Sequence, residues 1–201
     1  MPVSTQRHEP TFDKAKVSFE TLTNEISLSS LDCTDDGVKD PYGVNEFIHT
    51  QALAHQRDNL GLTLVLSYDK VVGGYATLGA TNLQHRLMHD GTHPVTCVED
   101  LASYPAVIIV NLGIDRHRRK GGLGSYWLTL LKGYCRRTIA EKVAARFLVL
   151  KSRPDEDVIR FYRDNGFILA LDQDKQANKL MYVDLFPECN LPDDQRGAIA
   201  L

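Results

Sequence analysis

Apolar positions along the 201-residue chain recur at two spacings, and the places where one spacing gives way to the other predict a mixed α/β architecture. Val17-Ser-Phe-Glu-Thr-Leu-Thr23 alternates and predicts a first strand. After the turn-rich Asp32-Cys-Thr-Asp-Asp-Gly37, Val44, Phe47, Ile48, Leu53 and Leu60 fall at helical intervals, which predicts a helix over about 43–59, ended by Asn59 to Gly61. Leu62-Thr-Leu-Val-Leu-Ser-Tyr68 and Val71-Val-Gly-Gly-Tyr-Ala-Thr-Leu78 flank Asp69-Lys70 as a hairpin. Gly73 and Gly74 would weaken a strand interior unless the backbone bends or bulges there. The segment of about 84–104 has little regular period, and loops of that length inside a compact domain are often functional.

Ala106-Val-Ile-Ile-Val-Asn-Leu-Gly-Ile114 is a near-continuous apolar run, the pattern of a strand buried on both faces. An amphipathic helix is expected over about 123–142, a buried strand over about 145–151, and a short helix over Pro154 to Asp164 with acidic residues in its first turn. Asn165-Gly166 should end that helix. Phe167-Ile-Leu-Ala-Leu171 and Leu180-Met-Tyr-Val-Asp-Leu185 supply a last hairpin. Strand, helix, hairpin, strand, helix, strand, helix, hairpin implies the α/β class, an α+β mixed sheet with helices on its faces. We expect one domain over 17–185, a flexible polar tail over 1–16 and an acidic tail over 186–201.

The stretch between central strand and following helix, Asp115-Arg-His-Arg-Arg-Lys-Gly-Gly-Leu-Gly124, is basic and glycine-rich. Backbone N–H groups at a helix start, with the positive end of its dipole, suit a phosphate-bearing ligand. Gly121, Gly122 and Gly124 let backbone approach that ligand, and Arg116, Arg118, Arg119 and Lys120 add charge beside it. Neither G-x-x-x-x-G-K-[ST] nor G-x-G-x-x-G is present, which argues against nucleotide hydrolysis and dinucleotide redox chemistry.

Charge changes the picture more than composition does. The formal net charge of −3 conceals ten Lys/Arg against two acidic residues over 114–151, a local balance of +8, between ends that sum to −4 over 1–40 and −3 over 184–201. A charge run also reads as a solvated helix face, and Lys132, Arg136, Arg137 and Lys142 have that alternative reading. Cys33, Cys97, Cys135 and Cys189 are widely spaced and read as reduced thiols. His85, His89 and His93 have four-residue spacing, but Gly91 and Pro94 break any helix that would align them on a metal. No apolar run approaches a membrane span and no signal peptide opens the chain, so a cytoplasmic location is expected.

Arg119-Lys-Gly-Gly-Leu-Gly124 fits R/Q-x-x-G-x-G. With its strand before, its helix after and a second signature, Phe161-Tyr-Arg-Asp-Asn-Gly-Phe167, the chain resembles the GNAT family of acetyl-CoA-dependent N-acetyltransferases over roughly Leu31 to Leu185. The resemblance implies a fold whose fourth and fifth strands, here 106–114 and 145–151, splay apart around the pantetheine arm of acetyl-CoA. It implies that Leu112, Gly113 and Ile114 hold that arm, and that Arg119, Lys120, Gly121, Gly122, Leu123, Gly124 and Ser125 hold the pyrophosphate. Tyr162 takes the place of the tyrosine that protonates the leaving thiolate in many members. A phenol, with an ordinary pKa of about 10, is protonated at neutral pH. It also reads as a core aromatic packed with Phe161 and Phe167. Asp155 stands where many members have an asparagine that touches the pantetheine arm.

An aspartate there resembles one subgroup, the toxins that acetylate the amino group of charged tRNA, as do Leu31-Asp-Cys33, the helix core from His49 to Ala54 and Tyr104-Pro-Ala-Val107. The chain departs from them at Val110-Asn-Leu-Gly113, where they often carry G-R-L-A, and in its acidic ends. The subgroup implies an amine acceptor on tRNA, with Arg116, Arg118, Lys132, Arg136 and Arg137 as its phosphate contacts, a small DNA-binding antitoxin as partner, and a homodimer. No metal is implied. Two alternatives stay open: a protein or small-molecule N-acetyltransferase, and a non-catalytic acetyl-CoA-binding regulator. No general base stands out among Glu46, His49, His55, His85, His89, His93, Glu99 and Asp100.

Overall fold

The alternating and apolar runs become seven strands joined in the order β1-β2-β3-β4-β5-β7-β6 in a computed structural model that describes residues 12–92, 101–173 and 178–190. In chain order the elements are β1 (Val17–Thr21), α1 (Val44–Thr50), α2 (Ala52–Arg57), β2 (Leu62–Tyr68), β3 (Val71–Gln84), β4 (Ser103–Ile114), α3 (Leu123–Tyr134), α4 (Glu141–Val143), β5 (Phe147–Ser152), α5 (Glu156–Asp164), β6 (Ile168–Leu169) and β7 (Lys179–Asp184). This is the predicted sequence of elements and the predicted mixed sheet. His93, Cys97, Glu99 and Asp100, with most of both expected tails, lie outside the described residues. The chain divides into two compact units, Met1–Leu78 with Asn111–Leu128, and Gly79–Val110 with Thr129–Leu201.

In the first unit, β1 and β2 pair antiparallel from Val17↔Tyr68 to Thr21↔Leu64. The β2–β3 register jumps from Leu66↔Gly74 to Ser67↔Val72, so Gly73 is the extra residue of a bulge. Close packing explains the glycine pair: a Cβ on Gly73 would lie 2.8 Å from Arg118 Cδ, and one on Gly74 would lie 2.8 Å from the Gly113 carbonyl oxygen. Leu22, Leu31, Cys33, Phe47, Ile48, Ala52, Val65, Val72 and Tyr75 form the core. The phenol among them is satisfied, Tyr75 Oη donating to Val44 O at 2.6 Å.

Two expectations need correction here. The single helix predicted over 43–59 is broken at Gln51 (φ −121°) into α1 and α2. Thr50 Oγ1 donates back to Glu46 O at 2.8 Å, a side-chain competitor for the helix backbone that bends helices. Leu60, read as part of the apolar face, is exposed beyond the helix end. At the amino end, residues 12–16 are ordered rather than tail: Asp13 caps the turn Lys14–Lys16, and the Phe12 ring packs against Tyr68 and Tyr126.

The second unit has its own core of Leu83, Met88, Tyr104, Ala106, Phe147, Val149, Ala170 and Tyr182. Within it β4 pairs parallel with β5 only from Ala106↔Phe147 to Ile109↔Leu150, although β4 runs on to Ile114. β5 pairs antiparallel with β7, and β7 with β6. The irregular segment after β3 is pinned by Tyr182, whose hydroxyl accepts from His89 N–H at 3.1 Å and bonds Thr92 Oγ1 at 2.9 Å. The helix expected over 123–142 does extend that far, but it widens into π turns over Cys135–Ala140 before α4, and Ala144 in the left-handed region (φ 54°) ends it.

Because the Gly113 carbonyl is backbone and cannot swing aside, Gly74→Ala should destabilise the fold by about 1–3 kcal/mol through overpacking. The urea midpoint of the variant measures it, and a midpoint equal to that of the parent would show that β3 can shift to admit a methyl group.

Candidate functional site

The turn after β4 is built on one buried carboxylate. Asp115 Oδ1 accepts His117 N–H at 2.9 Å, capping the turn Arg116–Arg118, and Asp115 Oδ2 accepts Asp32 N–H at 2.9 Å. Arg116 N–H returns the bond to Asp32 O at 2.8 Å, and Asp115 N–H donates to Gly73 O at 3.0 Å. Two segments 83 positions apart are thus locked in register. The Asp32 carboxylate accepts Thr34 Oγ1–H at 2.5 Å and Thr34 N–H at 3.0 Å and pairs with Arg116 Nε at 2.6 Å, which holds it below the usual carboxylate range, Thr34 contributing most.

Beyond this clamp the backbone alternates. Lys120 (φ 66°) and Gly122 (φ 85°) are both left-handed, an arrangement that turns successive N–H groups toward one point. The first helical bond of α3 is Tyr126 N–H to Gly122 O at 3.0 Å, so the N–H groups of Leu123 and Gly124 have no partner within the helix. No acidic residue sits in the first turn of α3. The stretch from Gly121 to Ser125, read from sequence as a pyrophosphate site, lies at this helix start.

The arginines beside this loop are already engaged. Arg119 donates from Nη2 to Cys33 O at 2.7 Å and from Nε to Ile114 O at 3.2 Å, and pairs with Asp35. Arg118 lies over the Tyr68 ring, 5.3 Å from its centroid, with its stem on Gly73. Arg116 is taken by Asp32. Gly113 also has an internal explanation: a Cβ there would meet Tyr75 Cε1 at 2.5 Å and Cys33 Sγ at 2.7 Å. The close approach it permits is that of the chain's own side chains. Burial pushes the Cys33 thiol up to about 12, so it is inert.

Tyr162 lies in the second unit near the end of α5, half-buried, with its ring edge-on to Phe161 and Phe167 at 5.1 and 5.8 Å. Both aromatic contacts expected of a core residue are present. Its hydroxyl nevertheless makes no hydrogen bond among the described residues, unlike those of Tyr75 and Tyr182. Burial pushes the phenol up to about 12, countered in part by Arg153, so it stays protonated throughout the neutral range. In the same unit Val110 is 52% exposed, an uncovered apolar side chain on the central strand of the sheet.

Asp155 is the N-cap of α5, its Oδ1 accepting from Asp157 N–H at 2.9 Å and Val158 N–H at 3.1 Å. Lys132 donates to Asn165 O at 2.9 Å, Arg136 pairs with Glu188, and Arg137 is exposed. Of the eligible bases, His49 bonds Leu31 O, His85 bonds Leu101 O and His89 bonds Leu169 O. Sequence reading passed over Asp115 and Asp32. An aspartate ahead of a short turn is a legible cap signal, whereas the partner of Asp32 lies too far along the chain to leave a local pattern.

No family model matches the chain, and no curated protein matches it in sequence. Solved structures do. The toxin AtaT complexed with acetyl-methionyl-tRNAfMet aligns with a TM-score of 0.65 at 20% identity, over 81% of this chain and 93% of that one. AtaTR bound with AcCoA gives 0.62 at 19%, over 86% and 96%, and a tyrosine-to-phenylalanine mutant of KacT gives 0.64 at 16%, over 86% and 96%. Likeness at this identity shows the fold, and that fold is the GNAT-type mixed sheet expected from the paired motifs.

If Asp155 acts as a cap, Asp155→Ala should cost about 1 kcal/mol and Asp155→Asn much less, because asparagine caps nearly as well. Thermal melts of the two variants decide it, and equal losses would assign the carboxylate another role.

Proposed function

We propose that this chain is an acetyl-CoA-dependent N-acetyltransferase whose acceptor is the amino group of an aminoacyl-tRNA, acting in the cytoplasm. The observation that carries the activity is the left-handed pair Lys120 and Gly122 at the start of α3, a backbone cradle for a pyrophosphate directly after a central strand. Acetyl-CoA bound there supplies an acetyl group activated as a thioester. Lys120 and the backbone of Gly121 to Ser125 hold its phosphates, and Leu112 to Ile114 present strand backbone to its amide-bearing arm. Arg119 contributes by fixing the loop rather than as a ligand, since its guanidinium is spent on Cys33 O and Ile114 O.

Tyr162 holds a proton at Oη for the thiolate that leaves. Its hydroxyl, which makes no hydrogen bond among the described residues, supports that role over a purely structural one. The acceptor half of the reading is supported by structures of AtaT with acetyl-methionyl-tRNAfMet and by the basic stretch 114–151. AtaT has also been solved with the antitoxin AtaR, and that complex with DNA, which supports a small DNA-binding partner here. No helix among the described residues is long and apolar enough to cross a membrane. The internal pairing of Arg116, Arg118 and Arg136 favours a second reading, a smaller amine acceptor.

Release of free thiol from acetyl-CoA should depend on an added amine, and Tyr162→Phe should lower turnover by roughly 10²–10⁴-fold while calorimetry finds acetyl-CoA binding retained. Because burial pushes the phenol up to about 12, the wild-type rate should show no loss from tyrosine ionisation up to about pH 10. An unaltered rate in the variant would return Tyr162 to the core.

Acceptor choice is read from salt. Arg137 is exposed, so Arg137→Glu should weaken acetylation of charged tRNA and flatten its salt dependence, by about 0.7–0.9 in the slope of log K for each phosphate no longer neutralised. Acetylation of free amino acids should ignore both the charge and the salt. Equal behaviour of the two acceptors would select the small-amine reading.

A further inference from the structure

The turn Pro187–Asn190 carries an acid onto the basic helix. Arg136, in the π-turn segment Cys135–Ala140, presents its guanidinium fork to both carboxylate oxygens of Glu188, Nη2 to Oε1 and Nη1 to Oε2 at 3.4 Å. The guanidinium also lies over the Phe186 ring, 4.9 Å from the centroid, which orients its plane. This two-pronged geometry is the one by which arginine takes a phosphate. Next to it Arg137 is exposed, and Lys132 stands one turn earlier on the same helix.

We propose that Glu188 occupies the phosphate position on Arg136, and that RNA docking on this helix face displaces it; the inference rests on the reading of tRNA as the acceptor. Three observations carry it. The Arg136 end of the pair is open to solvent, with 42% of its side chain exposed against 16% for Glu188, so an incoming anion can reach the guanidinium. The partner class follows from charge: a planar, pre-oriented fork beside a second arginine fits consecutive phosphates of a backbone better than one carboxylate. The turn does not need Glu188 to stay in place. Phe186 N–H donates to Asp184 Oδ1 at 2.8 Å, Asn190 Nδ2 donates to Asp184 Oδ2 at 3.2 Å, and Arg146 Nη2 donates to Asp184 and Asn190 at 2.7 and 2.9 Å. Glu188 is therefore a cover on an otherwise self-supporting turn, and it lowers the affinity of the surface beneath it.

The test is fluorescence anisotropy of unacylated tRNA with the full chain, across a salt series, for wild type, Glu188→Gln, Glu188→Ala, Arg136→Gln and the double variant Arg136→Gln/Glu188→Gln. Both Glu188 variants should bind more tightly, on the order of three-fold, with the slope of log K against log salt steeper by up to about 0.9 for each phosphate newly neutralised. In the Arg136→Gln background, Glu188→Gln should change nothing, which separates release of Arg136 from a general loss of negative charge. A structural pin would instead weaken binding when removed. Unchanged or weaker binding in both Glu188 variants, the same increase with and without Arg136, or no tRNA binding by any of the proteins overturns the proposal. The acetyl-transfer reading is judged separately, by thiol release with free amino acids, and survives those outcomes.

Discussion

The carboxylate of Asp115 is the constraint on which the loop, and the segment facing it, depend. A buried charge needs its lone pairs met, and Asp115 meets them with two backbone N–H groups, His117 from its own turn and Asp32 from a segment early in the chain. The reciprocal bond from Arg116 N–H to Asp32 O makes the pairing two-sided. With the turn fixed, Lys120 and Gly122 can be held in the left-handed region, which for lysine is a strained conformation that only a well-determined surrounding retains. The backbone cradle at the start of α3 is a consequence of that chain of constraints, and so is the placing of residues 31–37 beside it.

The same constraint redistributes charge. A balance of +8 over 114–151 suggests a broad electrostatic platform, yet Arg116 neutralises Asp32, Arg119 serves two carbonyls and Asp35, Arg118 stacks on Tyr68, Arg136 meets Glu188 and Arg146 meets Asp184. Asp32, Asp35, Asp184 and Glu188, toward the two ends of the chain, are counterions of its basic middle. What remains for a ligand near the loop is chiefly backbone N–H and Lys120, a local and directional field rather than a diffuse one. On the tRNA reading, docking of the polyanion is therefore an exchange between internal and external anions.

Elements with strong local signals were legible in sequence: the β2–β3 hairpin with its bulge at Gly73, the central strand, the Asn165-Gly166 stop of α5 and the glycine-rich turn before α3. Each depends on neighbours a few positions away. The break at Gln51 was hidden because Thr50 is compatible with a helix by spacing and disrupts it only through its hydroxyl. The role of Gly113 was half legible: a close approach was required, but whether by a ligand or by Tyr75 and Cys33 is a tertiary matter that no local pattern encodes. Arg119 is the sharpest case, since a motif position rich in charge reads as a ligand contact and here holds two backbone carbonyls together.

Tyr162 raises a question of proton balance that bears on the missing general base. A phenol pushed up to about 12 is fully protonated, and it is also a weaker acid than a thiol. Transfer from Tyr162 alone would run uphill, which makes a long-lived tyrosinate untenable. The overall reaction supplies the remedy: the acceptor nitrogen must lose one proton as the sulfur gains one. On the proposed reading, Oη passes its proton to sulfur only as the nitrogen's proton replaces it, directly or through water, and Tyr162 acts as a relay between two groups that change charge together. A relay needs no strong base in the protein. That is consistent with His49, His85 and His89 each being bonded to a backbone carbonyl, and with a half-buried tyrosine whose hydroxyl makes no hydrogen bond among the described residues.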